Sequence, residues 1–303
     1  MALRLIALLG AGVLALAGAA SGREAAAWKR GAALPVPRSE VAAATFGNEL
    51  VVAGGFLADG RSSRRVDAYS PARNRWRRLP DLPAAVNHAM AASDGRRLYV
   101  VGGYGAPRRA SVFSSGRWRG LPALPEPRAA AGAAIVGRTL YVIGGVAEGG
   151  LAQTSLAFDL ETRRWTRVPG PKPREHLGVS ALGGRVYAVA GRESGTNFDD
   201  FQAYLPDRRR WVSLPHVPET RGGTDSASVG PLLVSAGSES AAGTSAAVYA
   251  FDVRSRRWRR LPGLPTPRHG LGVLGFGGRV YVIGGGPTPG LSVSGANEYL
   301  RLR

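Results

Sequence analysis

No cysteine occurs among the 303 residues of the chain. That one absence removes disulfides, thiolate metal sites and cysteine nucleophiles together, so the fold must be held by core burial and sheet pairing. Lysine is almost missing too: Lys29 and Lys172 are the only two, and the remaining 38 of the 40 basic residues are arginine. The bias reads first as the codon preference of a GC-rich genome. Acidic residues number only 21, which leaves a formal charge of +19. A chain so basic favours anionic surfaces and polyanions at low salt. Apolar stripes at helical spacing are absent, whereas glycine (43) and proline (21) are plentiful. Short runs punctuated by Gly and Pro indicate an all-β chain. With 44% hydrophobic and 20% charged residues the composition is globular.

The first residues look like a targeting segment. Arg4 is followed by an uncharged Ala/Leu/Gly run, and the small residues "AGAASG" (17–22) offer a peptidase site near Ala19 or Ala20. Residues 1–22 are therefore expected to be a signal peptide, or a membrane anchor, because the uncharged stretch 5–22 reaches borderline spanning length. With no cysteine after the run, a lipoprotein anchor is not available. The protein is expected to be exported: secreted, periplasmic or associated with the cell envelope. Residues 23–303 would form the folded unit.

That unit is a repeat. A short β-branched run ending in two small residues recurs as "LVVAGGF" (50–56), "LYVVGGY" (98–104), "LYVIGGV" (140–146), "VYAVAGR" (186–192), "LLVSAGS" (232–238) and "VYVIGGG" (280–286). The tryptophans keep the same time: Trp28, Trp76, Trp118, Trp165, Trp211 and Trp258 are spaced 48, 42, 47, 46 and 47 residues apart. Most stand in a basic–Trp–x–x–Leu-Pro phrase such as "RWRRLPDLP" (75–83) or "RWRRLPGLP" (257–265), and Pro-Arg follows at 37–38, 127–128, 173–174 and 267–268. An aromatic-Asp or aromatic-Ser step precedes the Trp in "DAYSP" (67–71), "LAFDL" (156–160) and "YAFDV" (249–253).

A period in the forties with four short strands per unit is that of a propeller blade. The order Pro-Arg, hydrophobic run, Gly-Gly, Tyr/Phe-Asp, Trp, Leu-Pro resembles the kelch family, over a stretch running from near Trp28 to the C-terminus. The resemblance implies an all-β, six-bladed β-propeller, distantly similar to galactose oxidase-like and periplasmic sugar-mutarotase propellers. The last unit ends at "ANEYLRLR" (296–303) without a Trp phrase, and the chain begins with an orphan one at Trp28. The N-terminal strand is thus expected to complete the C-terminal blade, with 28–37 bonded to 296–303, leaving no open sheet edge. The second unit departs from the pattern. It lacks the aromatic-Asp step ("SVFSSGRW", 111–118) and has Ala84 to Asn87 where Pro-Arg belongs.

Two loop positions carry the candidate site. The loop before each first strand supplies Arg38, Arg128, Arg174, Arg221 and Arg268, each 15 or 16 residues ahead of its small doublet. The loop after each second strand supplies Phe56, Tyr104, Arg192, Glu193 and their neighbours. In kelch domains that bind ligands these positions make the contacts, so the resemblance implies a cationic, partly aromatic mouth suited to carboxylates or phosphates through forked hydrogen bonds. The competing role for these arginines is architectural, tying blades to backbone carbonyls. His88 and His176 share a register 14 residues before the doublet, and His269 stands 15 before. The three belong to alternate blades and no cysteine or carboxylate is expected to share their spacing, so no metal and no cofactor is expected. Without cysteine the Cys–Tyr copper chemistry of galactose oxidase is excluded.

The expected function is a non-catalytic binding module for a protein or glycan, expected to be anionic, held at the channel mouth. The alternative is a sugar mutarotase or epimerase acting on an acidic sugar such as sialic acid, with Glu175, Arg192 and Glu193 as candidates for moving the ring-opening proton. Arginine clusters such as "DRRRW" (207–211) and "RSRRWRR" (254–260) make a basic band that protects outer strands from pairing and favours an anionic envelope. Nucleic acid is not expected, since exposed aromatics do not interleave with these charges.

Overall fold

In a computed structural model the described residues are 27–302. They form six four-stranded antiparallel sheets, and among them no helix is long and apolar enough to cross a membrane. Residues 1–22, the expected targeting segment, lie outside the described range.

The first strands are Ala42–Phe46, Met90–Ser93, Gly132–Val136, Gly178–Leu182, Asp225–Val229 and Gly272–Phe276. Each lies beside the next, and the last returns to the first, closing a ring around a central channel. Their alanines and glycines are a consequence of convergence on the axis. A Cβ added at Gly272 would come within 2.4 Å of Ala43 Cβ, and one at Gly132 within 2.4 Å of Val179 Cβ. The second strands are β-branched because both faces are covered: Val51, Val52, Val142, Ile143, Val234, Val282 and Ile283 are all buried.

The chain closes as its ends suggested. Lys29–Arg30 pairs with Asn297–Arg301 in the register Lys29↔Tyr299 and Arg30↔Glu298. Gly31 N–H and Leu34 N–H then donate to the Asn297 and Gly295 carbonyls, both at 2.8 Å. The sixth blade is therefore made from both ends of the described chain, and no blade is left a strand short.

The tryptophans stand at the outer seams, half-buried rather than enclosed. Each indole N–H donates to a carbonyl of the preceding blade at 2.8–2.9 Å: Trp28 to Pro262, Trp76 to Ala32, Trp118 to Pro80, Trp165 to Pro122, Trp211 to Pro169 and Trp258 to Pro215. The acceptor is always the residue four beyond the neighbouring Trp, the proline of Leu-Pro except at Pro169, which follows Val168, and at Ala32. The Trp-to-Leu-Pro spacing is thus a seam contact repeated around the ring.

Departures are local. Blade 3 adds a small hairpin, Val146–Ala147 with Gly150–Leu151, and blade 5 adds Glu239–Ser240 with Gly243–Thr244. Blade 4 lengthens its middle strands to Arg185–Glu193 and Thr196–Leu205. Its pairing slips at a bulge between Val189 and Gly191, where Ala190 takes a left-handed φ of 53° in place of a glycine.

Candidate functional site at the channel mouth

The central channel has a volume of about 310 Å³. One end is bounded by one residue from each blade: Glu40, His88, Ala130, His176, Gly223 and Gly270. All six are left-handed, with φ between 50° and 70°. The conformation turns each backbone toward its neighbour, and a belt of hydrogen bonds results. His88 N–H donates to Glu40 O, Ala130 to His88, His176 to Ala130, Gly223 to His176 and Gly270 to Gly223, at 2.8–3.1 Å. Val41 N–H completes the belt on Gly270 O at 3.4 Å. A non-glycine in this region costs about 1–2 kcal/mol, so Glu40, His88 and His176 are kept there against a local penalty. Gly270 is needed for space as well, since a Cβ there would lie 2.3 Å from Glu40 Oε1.

Just outside the belt, first-loop and second-loop residues of the same blade face one another as short antiparallel bridges: Ser39 with Phe56, Asn87 with Tyr104, Glu175 with Arg192, and His269 with Gly286. These bridges fix Phe56 and Tyr104 on either side of His88, with ring centroids 5.6 and 5.3 Å away and edge-to-face geometry. They also bring Arg192 to the mouth, where its Nη1 donates to Glu239 Oε1 at 2.7 Å and its Nε lies 3.4 Å from Glu175 Oε1.

Three histidines converge on one carboxylate. Glu40 Oε2 is 3.2 Å from His88 Nε2 and 3.9 Å from His176 Nε2, and Glu40 Oε1 is 3.1 Å from His269 Nδ1. Burial would raise the Glu40 pKa, but the surrounding imidazoles outweigh it and hold the carboxyl well below the usual range. Burial lowers the His88 pKa despite Glu40. At His269 burial acts the same way, yet the hydrogen bond to Glu40 and the charges of Glu40 and Glu239 prevail, and the pKa rises. Glu175 is held below its usual range by His176 and Arg192.

The repeat-wide arginines are not at this mouth. Arg38, Arg128, Arg174, Arg221 and Arg268 are 0% exposed, which corrects the expectation that they contact a ligand. Each guanidinium binds carbonyls of its own blade, while its backbone carbonyl accepts an N–H from the preceding blade, as in Gly103 N–H to Arg128 O at 2.8 Å. Arg38 donates to the Gly54 and Arg65 carbonyls at 3.0 and 2.6 Å and pairs with Asp67. Arg268 donates to Val282 O at 3.0 Å and to Glu298 at 2.6 Å. Arg174 takes Gln202 Oε1 at 2.8 Å, Arg221 lies over the Tyr249 ring at 5.2 Å, and Arg128 pairs with Glu126. Burial brings the pKa of Arg38, Arg174 and Arg221 down to about 10, so they stay charged at neutral pH. The adjoining glycines must be glycine: a Cβ at Gly102 would lie 2.3 Å from Arg128 O.

The mouth is consequently not cationic. Its charged groups are Glu40, Glu175, Glu239 and Arg192 with the histidines. Of the second-loop candidates, Phe56, Tyr104 and Arg192 are brought together there, whereas Glu193 is exposed on the tip of the blade 4 hairpin. The residue missed in the sequence is Glu40. It stands 14 residues before Gly54, the interval that separates His88 from Gly102 and His176 from Ala190, so a carboxylate does share the histidine register. Glu239 left no such sign, because a hairpin carries it inward.

Comparison with known proteins agrees with this architecture. Residues 113–286 match the family model described as the KLHDC2/KLHL20/DRC7 Kelch-repeats domain. The chain belongs to the kelch-repeat family. Residues 37–83 also match the Kelch motif. A Kelch-like protein terF of Aspergillus terreus is 32% identical over 82 residues, 26% of this chain and 18% of that protein; the match spans under a fifth of the relative's length. Kelch propellers act as protein-binding modules, and the blade-specific loops at the mouth are where this one differs from blade to blade.

Proposed function

We propose that this kelch propeller binds a protein partner on the face that surrounds the channel mouth. One observation carries the reading. The two large hydrophobic side chains that stand exposed among the described residues, Tyr104 at 42% and Leu291 at 56%, both belong to second-loop segments of this face. Leu291 packs toward Gly60 of the blade 1 loop, so Leu291, Phe56 and Tyr104 mark an arc over three consecutive blades, 6, 1 and 2. The arc supplies apolar anchors and the Glu40–Arg192 cluster supplies polar contacts beside it, the arrangement of a binding patch with a charged centre. A glycan stacking on Phe56 and Tyr104 is the other occupant such an arc accepts. Nothing at Glu175 favours sugar mutarotation, since a carboxyl held below its usual range is a poor proton donor.

The test places a photo-activated cross-linker at Tyr104, at Leu291 and, on the opposite face, at Arg256. Adducts from the first two positions and none from Arg256 support the reading. Adducts from Arg256 alone, or from no position, contradict it, and a glycan array separates the two kinds of partner. We also propose that residues 1–22 direct export, on the strength of Arg4 and the apolar run that follows. Cell fractionation with and without that segment tests it, and a chain retained in the cytoplasm in both cases would exclude it.

A further inference from the structure

We propose that Glu40, His88 and His176 hold a divalent transition-metal ion at the channel mouth. Their ligand-type atoms lie within 4.8 Å of one another. A tetrahedral zinc with bonds of about 2.0–2.1 Å sets its ligand atoms about 3.3–3.5 Å apart. The distances from Glu40 Oε2, 3.2 Å to His88 Nε2 and 3.9 Å to His176 Nε2, bracket that value.

Hydrogen bonding decides which atoms face inward. Asn87 Nδ2 donates to Ser62 Oγ at 2.7 Å, which leaves Asn87 Oδ1 as the acceptor 2.5 Å from His88 Nδ1. His88 therefore carries its proton on Nδ1, and the Nε2 lone pair points at a carboxylate oxygen. Two lone-pair donors held 3.2 Å apart in a poorly solvated site repel unless a proton or a metal ion lies between them. An imidazole whose far nitrogen is tied to an amide oxygen is the usual support of a metal-binding histidine. His176 gives an independent indication. Its side chain is 9% exposed, and its buried Nδ1, 3.3 Å from Glu175 Oε1, lacks the alignment of a hydrogen bond. Glu175 is the carboxylate placed to accept the Nδ1 proton, the support a metal-binding imidazole has, once the ring turns to set Nε2 on a ligand.

The surroundings fit a cation. Glu175 and Glu239 share one guanidinium, Arg192, and Glu40 meets only imidazoles. His269 Nδ1 lies against the second oxygen of Glu40 at 3.1 Å and orients the carboxylate, while its Nε2 donates to Thr288 O at 3.1 Å. Imidazole and carboxylate without thiolate select zinc, cobalt, nickel or ferrous iron over copper(I). Three protein ligands leave a fourth position, and the channel bounded by the same three residues is where it opens.

The test uses the full chain without a polyhistidine tag, stripped with a chelator and titrated with Zn²⁺ by calorimetry and with Co²⁺ by visible absorption. One equivalent of uptake is expected, with the intense ligand-field bands of four-coordinate cobalt. Glu40→Gln, His88→Ala and His176→Ala each abolish it. Asn87→Ala weakens it about 10–100-fold. His216→Ala, an exposed residue paired with Asp199, leaves it unchanged. Should a variant fail to fold, histidine ¹⁵N spectra of the unaltered chain decide: Zn²⁺ shifts the Nε2 resonances of His88 and His176 and leaves His216 in place. Absence of saturable uptake, uptake that survives the three substitutions together, or shifts confined to His216 would overturn the proposal.

Discussion

Blades 1 and 2 are neighbours built on one repeat, yet their seams are held differently. In blade 1 the first loop buries Arg38 against Asp67, which stands opposite Val52. In blade 2 the corresponding residues are Val86 and Ser111, the latter opposite Val100. Blade 2 keeps the backbone half of the clamp, since Gly55 N–H still donates to Val86 O at 2.8 Å, but it has no cation. Around the ring the residue facing the arginine changes in step: Gln202 in blade 4, Tyr249 in blade 5 and Glu298 in blade 6. Blade 3 has Leu156 at that position and supplies Glu126 from the first loop instead, so each buried guanidinium has a polar or aromatic partner in its own blade, and blade 2, which has none, also lacks the arginine.

That comparison can be broken by giving blade 2 the wrong half of a pair. Val86→Arg buries a cation beside Ser111 and should destabilise by several kcal/mol, read as a shift of the urea midpoint; adding Ser111→Glu should recover a good part. If Val86→Arg alone is neutral, the pairing argument fails. The converse is Arg268→Ala, which strands Glu298, 1% exposed, in the seam. Equilibrium unfolding should show a loss of about 3–5 kcal/mol, and Val86→Ala, which removes only methyl groups, about 1–2 kcal/mol.

Blade 5 sharpens the comparison from the other side, because it adds an acid with no cation. Asp225 stands at the start of the first strand, its oxygens accepting Ser226 and Val273 N–H at 2.7 and 2.9 Å. Burial pushes its pKa up to about 7. A folded-state pKa above the unfolded value gives stability that is complete below about pH 4 and falls as pH rises through 7. Between pH 5 and pH 8 this group should remove about 2 kcal/mol, and Asp225→Asn should flatten that slope in paired denaturation series. A wild-type slope unchanged by the substitution would contradict the assignment. The smallest effect concerns the outer seam. Trp118→Phe keeps the ring but loses the bond to Pro80, which should cost about 1 kcal/mol, seen as a small drop in thermal midpoint.

The fold was legible because its signals are repeated and local. Trp–x–x–Leu-Pro encodes a contact between adjacent blades, and the orphan Trp28 encodes closure by the chain ends. The arginines were harder. Their period located them correctly, but no period tells whether a side chain turns into its blade or toward the axis. That is set by acceptors such as Asp67 and Gln202, which lie nearly thirty residues further along. Glu40 was readable by its interval to the doublet, though unlike the histidines it has no unusual residue type to mark it. Glu239 was hidden, because only the folded blade 5 hairpin brings it to Arg192 and His269.

The central claim is a division of labour: residues common to the blades hold the ring, and residues peculiar to single blades form the working mouth. Denaturant unfolding of Arg174→Ala and Tyr104→Ala, run beside the parent, tests it most directly. The account predicts a loss of several kcal/mol for the buried arginine and a change within about 0.5 kcal/mol for the exposed tyrosine. An Arg174 variant that unfolds at the parental midpoint, or a Tyr104 variant that falls as far, would contradict it.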